Sequence, residues 1–213
     1  MTTLARAYRE SLSSILEHSE PDAPTMCEGW SCADLAAHLY VRENDLLAAP
    51  GIMIAPLAGV TRSRMNAALD RLGYLGLVDA FAHGPGSWSP MRIPAVDRLA
   101  NGVEYFIHHE DVRRAQQGWS PDELPGAELT EELWQRLASS AKLLARRCPV
   151  GLKLERTDVT SPRPIAARTG DRIVTVSGHP AELTLWLSGR EAAVKLFGDP
   201  GPVEAVTTMS RGM

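Results

Sequence analysis

With 213 residues and 44% apolar content, the chain can build a proper core in one large domain or in two modest ones. Its formal net charge of −4, with basic residues dispersed apart from pairs such as Arg113-Arg114 and Arg146-Arg147, leaves no footprint for nucleic acid. No apolar run approaches membrane-spanning length, the stretch from Met1 to Glu10 carries charges where a leader needs apolar residues, and Cys27, Cys32 and Cys148 form an odd set without Cys-x-x-Cys; the expectation is a cytoplasmic protein without disulfides.

Leu4, Tyr8, Leu12, Ile15 and Leu16 recur at helical spacing and predict a first helix ending near Glu17. After a loop with Pro21 and Pro24, Ser31 followed by Asp34 makes a capping-box-like start for a second helix, with Trp30 and Leu35 at the staple positions. His38 falls about two turns into that helix. A Pro/Gly-rich connector, 50–59, leads to a third helix over 61–72, resuming from Gly73 to Ala82. The run His83 to Pro90 reads as loop, and Pro94 opens a long fourth helix reaching Gln117, ended by Gly118 and Pro121. A further helix, 130–147, has Leu133, Trp134, Leu137 and Leu144 on its apolar face.

Pro149 marks a change of texture. Leu152 and Leu154, then 165–168, then 173–176 read as strands; a short helix starts near Pro180 and stops at Ser188-Gly189, followed by a strand over 193–197, a turn at 198–201 and a last short helix. The expected class is α+β, with a helical domain over 1–148 and a small α/β domain over 149–213.

On a helical wheel of the fourth helix, Val96, Leu99, Ala100, Val103 and Ile107 form an apolar stripe, and Glu104, His108 and Asp111 cluster on its flank; His109 points elsewhere. On the second helix, His38 shares a polar stripe with Asp34, Arg42 and Asp45, flanked by Leu35, Leu39 and Leu46 on one side and by Ala37 and Val41 on the other. Imidazole and carboxylate at i and i+4, joined by a histidine from a facing helix, make a three-ligand set for Zn²⁺ or another divalent metal. The same spacing also fits a solvated helix edge with an ordinary i,i+4 pair, and that alternative stays open on spacing alone. Cys27, Cys32 and His38 lack the spacing and fourth ligand of a structural zinc module. His18, His83 and His179 read as helix-end or loop residues, and no phosphate loop, Gly-x-Ser-x-Gly elbow or His-Glu-x-x-His occurs.

Three segments together resemble a known group: Gly29-Trp30-Ser31-Cys32-Ala33-Asp34-Leu35-Ala36-Ala37-His38-Leu39, Glu104-Tyr105-Phe106-Ile107-His108 with the trailing Glu110 to Ala115, and Gly178-His179-Pro180-Ala181-Glu182 through Arg190. The chain resembles the actinobacterial branch of the DinB-like superfamily that includes mycothiol-dependent maleylpyruvate isomerase. The resemblance implies an N-terminal DinB-like four-helix bundle holding a divalent metal, usually zinc, on His38, Glu104 and His108. It also implies a small C-terminal α/β domain similar to the isomerase's sterol-carrier-like domain. The segment Trp88-Ser89-Pro90-Met91-Arg92-Ile93-Pro94 marks a subgroup for which the resemblance carries no substrate.

Three protein ligands leave a coordination position open, as catalytic zinc sites do. The expectation is therefore a metal-dependent enzyme that uses a low-molecular-weight thiol such as mycothiol for isomerisation or S-transfer on a small electrophile, without nucleic-acid or membrane partners. Asp111 is placed to orient a ligand, Arg42 to hold a substrate carboxylate, and Arg190, after the C-terminal helix stop, to grip an anionic substrate. Two other classes fit the same residues: a non-catalytic metal- or ligand-binding protein, and a metal-dependent hydrolase with Asp45 or Asp111 as general base.

Overall fold

The structure, a computed structural model, describes residues 3–45 and 58–211; most of the expected connector, the stripe position Leu46 and the Leu99 side chain lie outside the described residues. Among the described residues the chain is mixed helix and sheet, in two compact units that divide between Ser120 and Pro121. The boundary expected at 148/149 falls inside the second unit.

In the first unit, α1 (Leu4–Glu17) starts on Thr3, whose side chain accepts the Arg6 N–H, and buries Leu4, Ala5, Tyr8, Leu12 and Leu16. Helix α2 (Cys32–Asn44) opens on the expected capping box: Ser31 Oγ accepts the Asp34 N–H, and Asp34 Oδ2 accepts the Ser31 N–H at 3.0 Å. Helix α3 (Ala58–His83) is kinked where the sequence interrupts its pattern, because Gly73 takes φ 67 and ψ 171, a conformation open to glycine and strained for other residues. α2 packs against α3, and α1 packs against α3 and against α5 (Gly102–Arg113).

The long fourth helix expected from Pro94 to Gln117 is broken. A short helix, α4 (Pro94–Ala100), stops at Asn101, and α5 then runs to Arg113. Asn101 is fully buried and uses its side chain sideways, its Nδ2 donating to Asp97 Oδ1 at 2.8 Å, while a Cβ on Gly102 would stand 3.1 Å from Leu4 Cδ2. The glycine lets α1 approach closely, and Asn-Gly is a weak pair for carrying a helix through. The break also shifts the buried face. Tyr105, Phe106 and Val112 are the fully buried large apolar residues of α5, with Tyr8 edge-on to Phe106 at 5.1 Å, whereas Val96, Ala100 and Val103 of the expected stripe remain partly exposed. At the far end Arg113 and Arg114 fold back onto Glu110, and the helix stops before Gln117.

In the second unit, α6 (Ala127–Leu144) packs on the sheet and on α7 (Pro180–Leu187), which is why it does not belong with the first unit. The sheet order is β2-β1-β3-β4, from β1 (Gly151–Arg156), β2 (Ile165–Arg168), β3 (Ile173–Gly178) and β4 (Lys195–Phe197). β1 pairs parallel with β3, and the two outer pairings are antiparallel. One face carries the core: Leu152, Leu154, Val174 and Val176 meet Leu137 and Ala141 of α6, Leu183 and Trp186 of α7, and Val206 of α8 (Pro200–Thr208). Alternation along β1 and β3 thus reads as one packed face and one exposed face.

Candidate metal centre

α2 and α5 bring His38, Glu104 and His108 together. Glu104 Oε1 lies 3.5 Å from His38 Nε2 and 3.3 Å from His108 Nε2, and one ligand atom from each residue falls within 4.8 Å of the others. Tetrahedral bonds of about 2.0–2.1 Å hold their ligand atoms about 3.3–3.4 Å apart, so these spacings fit one small divalent cation. Both histidines are buried, and among the described residues His38 Nε2 has no hydrogen-bond partner. A buried nitrogen left in this condition costs free energy unless something else meets it, and a cation does so. Nitrogen and carboxylate donors suit zinc and similar metals.

His108 is oriented from behind: its Nδ1 lies 3.0 Å from Asp111 Oδ2, so the neutral ring carries its proton on Nδ1 and keeps the Nε2 lone pair toward Glu104 and His38. Asp111 is itself buried, one turn along from His108. Burial pushes the His108 pKa down, but Asp111, Cys27 and Glu104 outweigh it and hold the ring well above the ordinary histidine value. Burial likewise works against the Glu104 carboxylate, yet the adjacent His108 and His38 rings keep it well below its usual range. For His38 burial dominates over the neighbouring Glu104, and its pKa falls. Glu104 keeps 27% of its side-chain surface, so the cluster is reachable from that side.

Arg42 does not stand free for a substrate. Its guanidinium bonds Asn101 Oδ1 and the Ala100 carbonyl (2.8 Å), and its Nε lies 3.4 Å from Glu104 Oε1. It fastens the Glu104 carboxylate to the break between α4 and α5. Asp45 sits 3.5 Å from Arg64 and lines a cavity of about 350 Å³ with Tyr40, Arg71 and Trp88. Asp34 is held at the helix start and by Arg62. His109 is turned to Ser11 Oγ (2.9 Å) and Glu110, as its helical phase requires. Arg190, in the second unit, donates to the Ser188 carbonyl at 3.1 Å beside the end of α7.

Sequence reasoning passed over Cys27 and Trp30 as site residues. The Cys27 thiol is 3.1 Å from Asp111 Oδ2 and 3.8 Å from His108 Nδ1, and the Trp30 ring lies 5.0 Å from the His38 ring. Both belong to a loop, where no periodicity announces a facing direction.

No protein family profile matches the sequence, and no curated protein does. Two solved structures resemble this one over 92% of its length and 91% of theirs. They are the mycothiol-dependent maleylpyruvate isomerase (20% identity, TM-score 0.55) and its histidine-to-alanine mutant (19% identity, TM-score 0.57). Likeness over nearly the whole of both chains, helices and sheet alike, shows that this chain shares the fold of the mycothiol-dependent maleylpyruvate isomerase.

Proposed function

We propose that the chain is a metal-dependent enzyme that uses a low-molecular-weight thiol, such as mycothiol, for isomerisation or S-transfer on a small electrophilic substrate. The observation that carries this reading is the buried, unpartnered His38 Nε2 facing Glu104 and His108. The shared fold supports it, since the structural neighbour is the mycothiol-dependent maleylpyruvate isomerase. On this reading the first unit is a DinB-like four-helix bundle, and the second has the sterol-carrier-like architecture of the isomerase's C-terminal domain.

His38, Glu104 and His108 would hold a zinc or similar ion, which would supply the Lewis acidity that keeps a thiol ionised at neutral pH. The protein's own residues prepare that place. Asp111 fixes the His108 tautomer, Arg42 anchors Glu104, and the partly exposed edge of Glu104 leaves a path for small molecules. Arg190 is proposed to grip an anionic substrate, so Arg190→Ala is expected to raise KM for a carboxylated electrophile with metal content unchanged.

The test is elemental analysis of the purified protein combined with turnover assays on a panel of small electrophiles, with and without added thiol. Bound metal with turnover only in the presence of thiol is expected. Metal without turnover of any electrophile would make it a binding protein, and hydrolytic turnover without thiol would make it a hydrolase; either result overturns the proposal.

A further inference from the structure

The loop between α1 and α2 touches both histidines of the candidate centre: Trp30 lies beside His38, and Cys27 reaches the far side of His108. This loop is internally braced. Thr25 Oγ1 donates to the Trp30 carbonyl at 2.9 Å and accepts the Cys27 N–H at 3.2 Å. The Trp30 N–H donates to the Cys27 carbonyl at 3.0 Å, across a turn in which Gly29 has φ 73. The Met26 N–H donates to the Asp111 carbonyl at 2.8 Å. Loop and α5 are therefore joined at Asp111 through the main chain and, by way of Cys27, through the side chain.

Asp111 Oδ2 accepts from His108 Nδ1–H at 3.0 Å and from the Cys27 S–H at 3.1 Å. A carboxylate oxygen has two lone pairs and can take both protons. We infer that Cys27 is a positioning residue, whose thiol holds the Asp111 carboxylate where it keeps the His108 ring turned with Nε2 toward His38 and Glu104. Cys27, His108 Nδ1 and Asp111 also lie close enough together to be read as a cation site of their own. Their geometry argues against that. The carboxylate distances are those of hydrogen bonds already made, and each of these atoms has a partner, whereas His38 Nε2 does not.

The inference rests on the metal-centre reading, and its test separates the two. Divalent metal affinity, measured by competition with a chromophoric chelator, is expected to fall about tenfold in Cys27→Ala and to return to within about threefold of the parent in Cys27→Ser, which keeps a donor. In the metal-free protein, at a pH where the ring is neutral, ¹⁵N imidazole spectra should show one His108 tautomer in the parent and in Cys27→Ser, and a mixture in Cys27→Ala. Unchanged affinity with unchanged imidazole signals in Cys27→Ala overturns the inference. So does a sulfur-to-cobalt charge-transfer band in the Co²⁺-loaded parent that disappears in Cys27→Ser, since Cys27 would then be a ligand. If the parent binds no divalent metal, the metal-centre reading falls, and the imidazole signals of the metal-free variants still decide the Cys27–Asp111–His108 chain.

Discussion

The Arg9/Glu43/Tyr105 cluster and the His38/Glu104/His108 cluster both draw on α2 and α5, the first with Arg9 of α1 added, yet only the first is closed. Glu43, fully buried, takes Arg9 on both carboxylate oxygens, at 2.5 and 2.9 Å, and the Tyr105 hydroxyl as well. Arg9 also donates to the Phe81 carbonyl at 2.8 Å and lies 4.9 Å from the Phe81 and Tyr105 ring centroids. Burial and the neighbouring Glu43 push the Tyr105 pKa up, so the hydroxyl remains a donor. In the second cluster the two histidines are buried as well, but Glu104 keeps an exposed edge and a nitrogen is left over. A polar network that satisfies itself fixes the packing of helices, and one that stops short by a single atom describes the ligand it awaits.

The sharpest way to break this contrast is to open the closed cluster. Arg9→Ala leaves the Glu43 carboxylate buried without its partner and is expected to cost about 3–5 kcal/mol in denaturant unfolding. His108→Ala in metal-free protein should cost less, about 1–3 kcal/mol, the range for a lost buried hydrogen-bond partner. Equal losses would mean that both clusters are structural.

A second way is to ask the open cluster for its metal. His38→Ala, Glu104→Ala and His108→Ala should each take metal content from about one per chain to near zero, and His109→Ala should leave it intact. Because a site formed only in the folded protein adds its binding to folding, free metal at about 100 times Kd contributes about 2.7 kcal/mol, and chelation should lower the melting temperature. Metal retained in His108→Ala, or a melting curve indifferent to confirmed metal loss, would remove the distinction between the clusters.

The smallest expected effect is one of pH. In metal-free protein the raised pKa of His108 contributes stability that is complete below the unfolded value near 6.5 and is lost as pH rises through the folded value. The lowered pKa of His38 works in the other sense, removing stability as pH falls from its unfolded value through its folded one. A metal must displace the His108 proton, so affinity should strengthen with rising pH, by up to about tenfold per pH unit, until that proton is gone. Calorimetry in buffers of different ionisation enthalpy would show the released proton, and affinity flat across that window would refute the linkage.

How much of this could be read beforehand depended on whether a residue sat in a periodic element. Glu104 and His108 were marked by i,i+4 spacing and His38 by a polar stripe between apolar flanks, and the structure brings those three together. The kink at Gly73 and the capping box at Ser31 were equally legible, because glycine and cap chemistry act locally. The commitment of Arg42 to Ala100 and Asn101 was not, since it depends on a helix break that the apolar pattern conceals. The Asn101-Gly102 pair was the available signal. Cys27 lay beyond reach because its partners stand 81 and 84 residues away, joined to it by the path of a loop. The helix 127–144 was expected with the bundle because it follows helices in sequence; its packing partners are β2 and the α7 helix of the second unit.

The break at Asn101 has an electrical consequence. In a helix running unbroken from Pro94, Glu104 would lie in the third turn, among peptide groups already bonded to one another. Starting afresh at Gly102, the chain puts Glu104 in the first turn, beside N–H groups that have no carbonyl beneath them and at the positive end of the α5 dipole. The positive end of α5 thereby adds to His108, His38 and Arg42, which hold the anionic member of the three-residue set charged. An interruption in the sequence pattern is, on this account, a charge-setting device: mending it with a better helix former would weaken the affinity of a site whose ligands were all still in place.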